Sequence, residues 1–176
     1  MNITTASPLY ITIKSIEELS LEDADLEELL IFFKNTKSAL IRDRLALIFS
    51  DLRYDTAVPA IMKAVRDYAD NCGTLIYALE ELDSKKYFLA FINIICTYNY
   101  EPRLMALNII EKYASEITPK QRKRALIILE KAQQDLEAIS IDQGENSGLH
   151  FIEQTILLLS YGNTLNADGG REKIDK

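Results

Sequence analysis

The chain has 176 residues, with 20 lysines and arginines against 27 acids, a net charge of −7 and two cysteines. That length suffices for one domain or one short array that buries roughly two thirds of its unfolded surface without disulfide or metal staples. The acidic balance disfavours a phosphate backbone as principal partner, because nucleic-acid affinity rests on clustered Lys and Arg, and it leaves either simple solubility or a basic protein partner.

Residues 1–19 read as a β-branched leader or cap (Ile3, Thr4, Thr5, Tyr10, Ile11, Thr12, Ile13). The stretch lacks the basic and continuous apolar regions of a secretory signal. Ser20 and Asp23 have capping-box spacing and open a first helix with the stripe Leu26, Leu29, Leu30, Phe33, ending near Asn35. Ser38 to Leu52 is the second helix. The third runs from Thr56 to about Tyr68, with Asp55 as its expected N-cap and Pro59 in its first turn. A fourth spans about Asn71 to Leu82, and Asp83 or Ser84 is expected to cap a fifth that ends near Tyr98. Glu101 and Pro102 open the sixth, Thr118 and Pro119 the seventh, whose stripe is Ala125, Ile128, Leu129, Ala132. Residues 140–148 read as a polar loop, and Leu149 to Tyr161 as an eighth, capping helix with Ile152, Ile156 and Leu159 inward. Residues 162–176 are polar, Gly-rich and aperiodic, the composition of a disordered tail. Residues 20–161 are thus expected to form a single domain.

The helices carry one apolar stencil at i, i+3, i+4, i+7 that recurs along the chain. Leu45, Ile48, Phe49, Leu52 returns as Leu75, Ala78, Leu79, Leu82 and again as Ala106, Ile109, Ile110, Tyr113. Val58, Ile61, Met62, Val65 returns as Phe88, Phe91, Ile92, Ile95. The step is about thirty residues, and a two-helix unit with one stripe per helix cannot bury both stripes alone, so units stack.

One unit also carries a recognisable local pattern. In IRDRLALIFSDLRYDTAVPAIMKAVRDYAD, Arg42 stands early in the first helix, Ala46 in its middle, Asp51-Leu52 at its end, and Ala57-Val58-Pro59 opens the second. This segment resembles a HEAT repeat of the compact bacterial type. The following units depart from it: Cys72 stands at the early Arg position, neither has the Ala-Val-Pro opening, and only Arg103, Ala106 and Leu107 restore the first-helix pattern. The resemblance covers about residues 38–132. It implies an all-α, right-handed superhelix of antiparallel helix pairs, seven or eight helices in all, with the second helices (Thr56 to Tyr68, Ser84 to Tyr98, Thr118 to Ala132) on the concave side. Most HEAT proteins are protein-binding scaffolds, and HEAT-like relatives also include phycobilin lyases and DNA glycosylases.

Chemistry-bearing motifs are scarce. No HExxH, GxSxG or glycine-rich phosphate signature occurs, His150 is the sole histidine, and Cys72 and Cys96 sit in apolar helical runs without metal-ligand spacing, so no catalytic residue, metal or cofactor is expected. Glu17, Glu18, Glu22, Asp23, Asp25, Glu27 and Glu28 suit a first helical turn and its dipole. Lys120, Arg122, Lys123 and Arg124 read as a solvated helix face. The turn acids Asp51, Asp55, Glu80, Glu81 and Asp83 would align along one edge of stacked repeats. They serve either as ordinary solvated turns or, with Tyr54 and Tyr87 as rigid contacts, as a partner-binding strip. The expectation is a cytoplasmic, non-enzymatic protein-binding module: an immunity protein that neutralises a basic toxin domain, or an adaptor in a larger assembly. Neither nucleic acid nor membrane is expected as a partner, since no run approaches about 18 uninterrupted apolar residues.

Overall fold

A computed structural model describes residues 25–143 and 147–161. The leader, Ser20, Asp23, the acids before Asp25 and the tail from residue 162 lie outside the described residues, but the first helix does not open at Ser20 as expected: it begins at Leu26, after an extended Asp25 that caps it. The described chain is all-α. Eight α-helices occur among the described residues: α1 (Leu26–Asn35), α2 (Ala39–Asp51), α3 (Val58–Asp67), α4 (Gly73–Ala78), α5 (Phe88–Thr97), α6 (Tyr100–Tyr113), α7 (Pro119–Gln143) and α8 (Ser147–Tyr161). Short 3-10 turns precede α3, α4 and α5. No helix of the described residues is long and apolar enough to cross a membrane. The chain divides into two compact units, with the boundary between Ser84 and Lys85.

In the first unit, α1 packs on α2 and α3, and α4 packs on α2 and α3. Asp25 caps α1, its Oδ1 accepting from the Glu27 and Glu28 amides. Ser38 caps α2 through the Ile41 amide. The repeated stencils are what this unit buries: Leu45, Phe49, Ile61, Val65, Leu75 and Leu79 are all wholly inside, while Leu52 is half-buried. Phe33 meets the Phe49 ring edge-on, with centroids 5.8 Å apart. Each such large side chain contributes about 1.5–3 kcal/mol by leaving water.

The end of α2 is a Schellman motif. The Tyr54 amide donates to Phe49 O and the Arg53 amide to Ser50 O, and the Tyr54 ring lies on Phe49 at 5.7 Å. The left-handed residue that this stop requires is Arg53, φ 51°, a conformation most often given to glycine. The fourth helix is shorter than its sequence suggests. Only Gly73–Ala78 is α-helical, flanked by the 3-10 turn Ala69–Asn71 and by turns through Leu82, although Leu79 and Leu82 are buried as expected.

In the second unit, α5 packs on α6, α7 and α8, and α8 on α6 and α7. Phe88, Phe91, Ile92, Ile95, Ala106, Ile109 and Ile110 are fully buried, joined by Leu129, Ile152 and Leu159. α7 opens with a capping box: the Gln121 amide donates to Thr118 Oγ1 and the Thr118 amide to Gln121 Oε1, with Pro119 at the first helical position. α7 also corrects the expected loop at 140–148, because residues 140–143 continue it and Ser147 and Gly148 open α8.

Candidate functional site

The turn after α2 and the turn after α4 are tied together within the first unit. The Asp83 amide donates to Asp55 Oδ1 at 2.7 Å, and Arg53 Nη2 lies 3.5 Å from Glu81 Oε2, each pair 28 positions apart. Asp55 therefore does not cap its own helix, as its position suggests; no side-chain bond caps the 3-10 turn or α3, and the carboxylate serves the next turn instead. At the start of α5, Tyr87 provides no side-chain cap, and in the turn before it Ser84 Oγ donates to Leu79 O at 3.1 Å.

Asp51, Asp55, Glu81 and Asp83 are exposed and Glu80 is half-buried. Four solvated carboxylates thus come from two linked turns, with Arg53 as a counter-charge that sequence reasoning overlooked. Tyr54 is half-buried against Phe49, so its ring is fixed. Tyr87 belongs to the second unit, half-buried, with Lys86 Nζ 5.3 Å from its ring centroid. That unit has a comparable link, Lys85 Nζ to Glu116 Oε2 at 3.0 Å.

The basic cluster on α7 departs from the expected solvated face. Lys120, Lys123 and Arg124 are exposed, but Arg122 is buried, its Nη1 donating to Leu159 O at 2.7 Å and its Nη2 to Ala114 O. It thereby serves carbonyls near the C-terminal ends of α8 and α6, a place where helix carbonyls commonly go without an intrahelical donor. Arg42, noted in the sequence only for its place in the repeat pattern, is also buried. Its guanidinium carbon stands 3.6 Å from the Tyr68 ring centroid, beside a cleft bounded by α1 and α3. A signal for this role exists only in hindsight: Arg42 lies on the α2 face that also presents Leu45, Ala46 and Phe49.

The cysteines are free thiols. Cys72 is fully buried, its Sγ donating to Ala69 O. Cys96 is half-buried. Burial pushes its thiol from an ordinary value of 9.0 up to about 11, against the pull of the Arg103 guanidinium. Burial also lowers Arg103 from the usual arginine range, and its Nη2 reaches Cys96 O at 3.5 Å. Gly148 leaves room for that guanidinium, since a Cβ there would stand 2.4 Å from Arg103 Nη1.

A raised thiol is a poor nucleophile, because the thiolate is the reactive form. Iodoacetamide at pH 8 is expected to modify Cys96 roughly a hundredfold more slowly than an unstructured thiol. The sign for stability follows from the same shift. Between about pH 9 and 11 the unfolded chain loses this proton while the folded chain keeps it, so stability falls as pH rises through that window. Cys96→Ser is expected to flatten the fall, and equal slopes for the two proteins in urea melts would contradict it.

Among the described residues no group of three or more His, Cys, Asp or Glu is placed to hold a metal ion. His150 is exposed, 6.0 Å from the Phe151 ring. No family model, no curated protein and no solved structure matches this chain.

Proposed function

We propose that this chain is a non-catalytic, HEAT-like helical repeat protein that binds a basic protein through the acidic turn edge of its first unit. The partner class that fits best is a basic toxin domain, which would make the chain an immunity protein. The observation that carries this reading is the bond from the Asp83 amide to Asp55, which holds Asp51, Asp55, Glu81 and Asp83 on linked turns with their side chains in solvent. Carboxylates on braced turns lose little freedom when a partner docks, and charge complementarity accelerates encounter. The repeat reading is supported by the buried thirty-residue stencils and by the 28-residue step of the turn links.

The test uses basic nuclease toxin domains as probes and the triple variant Asp51→Lys, Glu81→Lys, Asp83→Lys. Asp55 is spared, because its side chain braces the neighbouring turn. Helicity of the variant should match wild type, since exposed substitutions away from such braces shift stability by under about 0.5 kcal/mol. Association with a cognate domain should slow at least about tenfold at 50 mM salt. The difference should shrink at 500 mM, where the Debye length falls to about 4 Å. Binding no tighter than about micromolar for every domain would refute the immunity reading. A variant that associates as fast as wild type would show that the edge is not the contact.

A further inference from the structure

We propose that the first unit holds a binding site for a small amphiphilic carboxylate, with Arg42 as the residue that recognises its head group. The cleft beside Arg42 has a volume of about 550 Å³, within the range of pockets that take small organic ligands. Leu30, Phe33, Pro59 and Ala64 give it apolar walls, and Lys34 and Lys63 add positive charge to that of Arg42.

Arg42 is the unusual element. It is 3% exposed, and neither its Nε nor its Nη1 has a hydrogen-bond partner. An arginine cannot shed its charge, so the fold keeps a permanent cation in low-dielectric surroundings with two of its three nitrogens unsatisfied. A buried charge left in that condition is costly, and an arriving acceptor removes the cost. Stacking on Tyr68 holds the guanidinium plane in place. The two nitrogens are shielded from bulk water, and Tyr68, which also lines the cleft, is 42% exposed.

The surroundings select the ligand class. Lys63 is already paired with Asp67 on the next turn of α3, and the Asp67 carboxylate also lines the cleft, which disfavours a dianionic phosphate. One buried cation beside apolar walls suits a single negative charge on an apolar body.

The full chain, ¹⁵N-labelled, is titrated with 4-phenylbutyrate, with 4-phenylbutan-1-ol of the same body and no charge, and with inorganic phosphate. The carboxylate is expected to saturate, to shift the Arg42 Nε–H resonance and the α1 and α3 amides around the cleft, and to bind at least about tenfold more tightly than the alcohol or phosphate. Arg42→Met, apolar and of similar length, should stay folded, because apolar replacement of a buried charge is often neutral or stabilising, and should lose about tenfold in affinity. The proposal is overturned if the alcohol binds as well as the acid, if phosphate matches the carboxylate, if nothing saturates by about 10 mM, or if Arg42→Met retains wild-type affinity. Should Arg42→Met fail to fold, the three ligands on the wild-type chain decide the matter.

Discussion

Leu79→Asp is expected to unfold the first unit. Leu79 is 0% exposed and lies with Leu75, Ala78 and Leu82 on the stripe that α4 and its following turn press inward. Its carbonyl accepts the Ser84 hydroxyl, so the turn that carries it has little freedom to rotate the new carboxylate outward. Loss of the leucine alone costs about 2–5 kcal/mol, and a buried, unpaired carboxylate adds either its own desolvation or the cost of protonating it. A total beyond about 5 kcal/mol is comparable with the whole stability of a small domain. Circular dichroism should lose the cooperative melt of this unit, and amide resonances of residues 26–84 should collapse toward random-coil positions. Leu79→Ala serves as the graded case, with a loss of about 2–5 kcal/mol and retained helicity. A cooperative melt of Leu79→Asp within a few degrees of wild type would contradict the packing described above.

Arg122→Ala carries the second large expected effect, in the other unit. Arg122 is 7% exposed, and its two terminal nitrogens serve Leu159 O and Ala114 O. Both carbonyls lie in the last turn of a helix or at its cap, where the helix dipole presents its negative pole. Truncation leaves two acceptors without their donors, at about 1–3 kcal/mol each, so a loss of about 3 kcal/mol is expected in urea unfolding. Arg122→Lys should recover less than half of it, because one ammonium cannot reproduce a planar fork aimed at two separate carbonyls. Truncation of the exposed neighbour Lys123 should change stability by under about 0.5 kcal/mol. A loss that small for Arg122→Ala would mean that the arginine is not a structural link.

The sequence by itself determined the helical class and most of the interior. Sets such as Val58, Ile61, Met62, Val65 and Phe88, Phe91, Ile92, Ile95 are buried at every position, because a 3.6-residue period places them on one face whatever that face meets. Two helix starts were legible for the same local reason: Ser38 and Thr118 act on amides three residues away, so their neighbours in the chain suffice. Of the candidate site, the residue types and their places in the turns could be read, together with the expectation that turns about thirty residues apart would meet.

Only the tertiary structure decided what depends on groups distant in the chain. Asp55 looks like a cap for the helix that follows it, yet its partner is an amide 28 positions on, reachable only once α4 has packed against α2 and α3. Arg53 occupies a left-handed stop with no glycine to announce it. α7 extends to Gln143 through polar residues whose helix propensities differ from those of strong formers by only a few tenths of a kcal/mol each, too little for composition to mark an end. Arg42 and Arg122 are chemically indistinguishable in sequence from exposed Arg66 and Arg124. A charge is held inside or outside according to the desolvation, carbonyls and ring faces it meets there, and those belong to other helices.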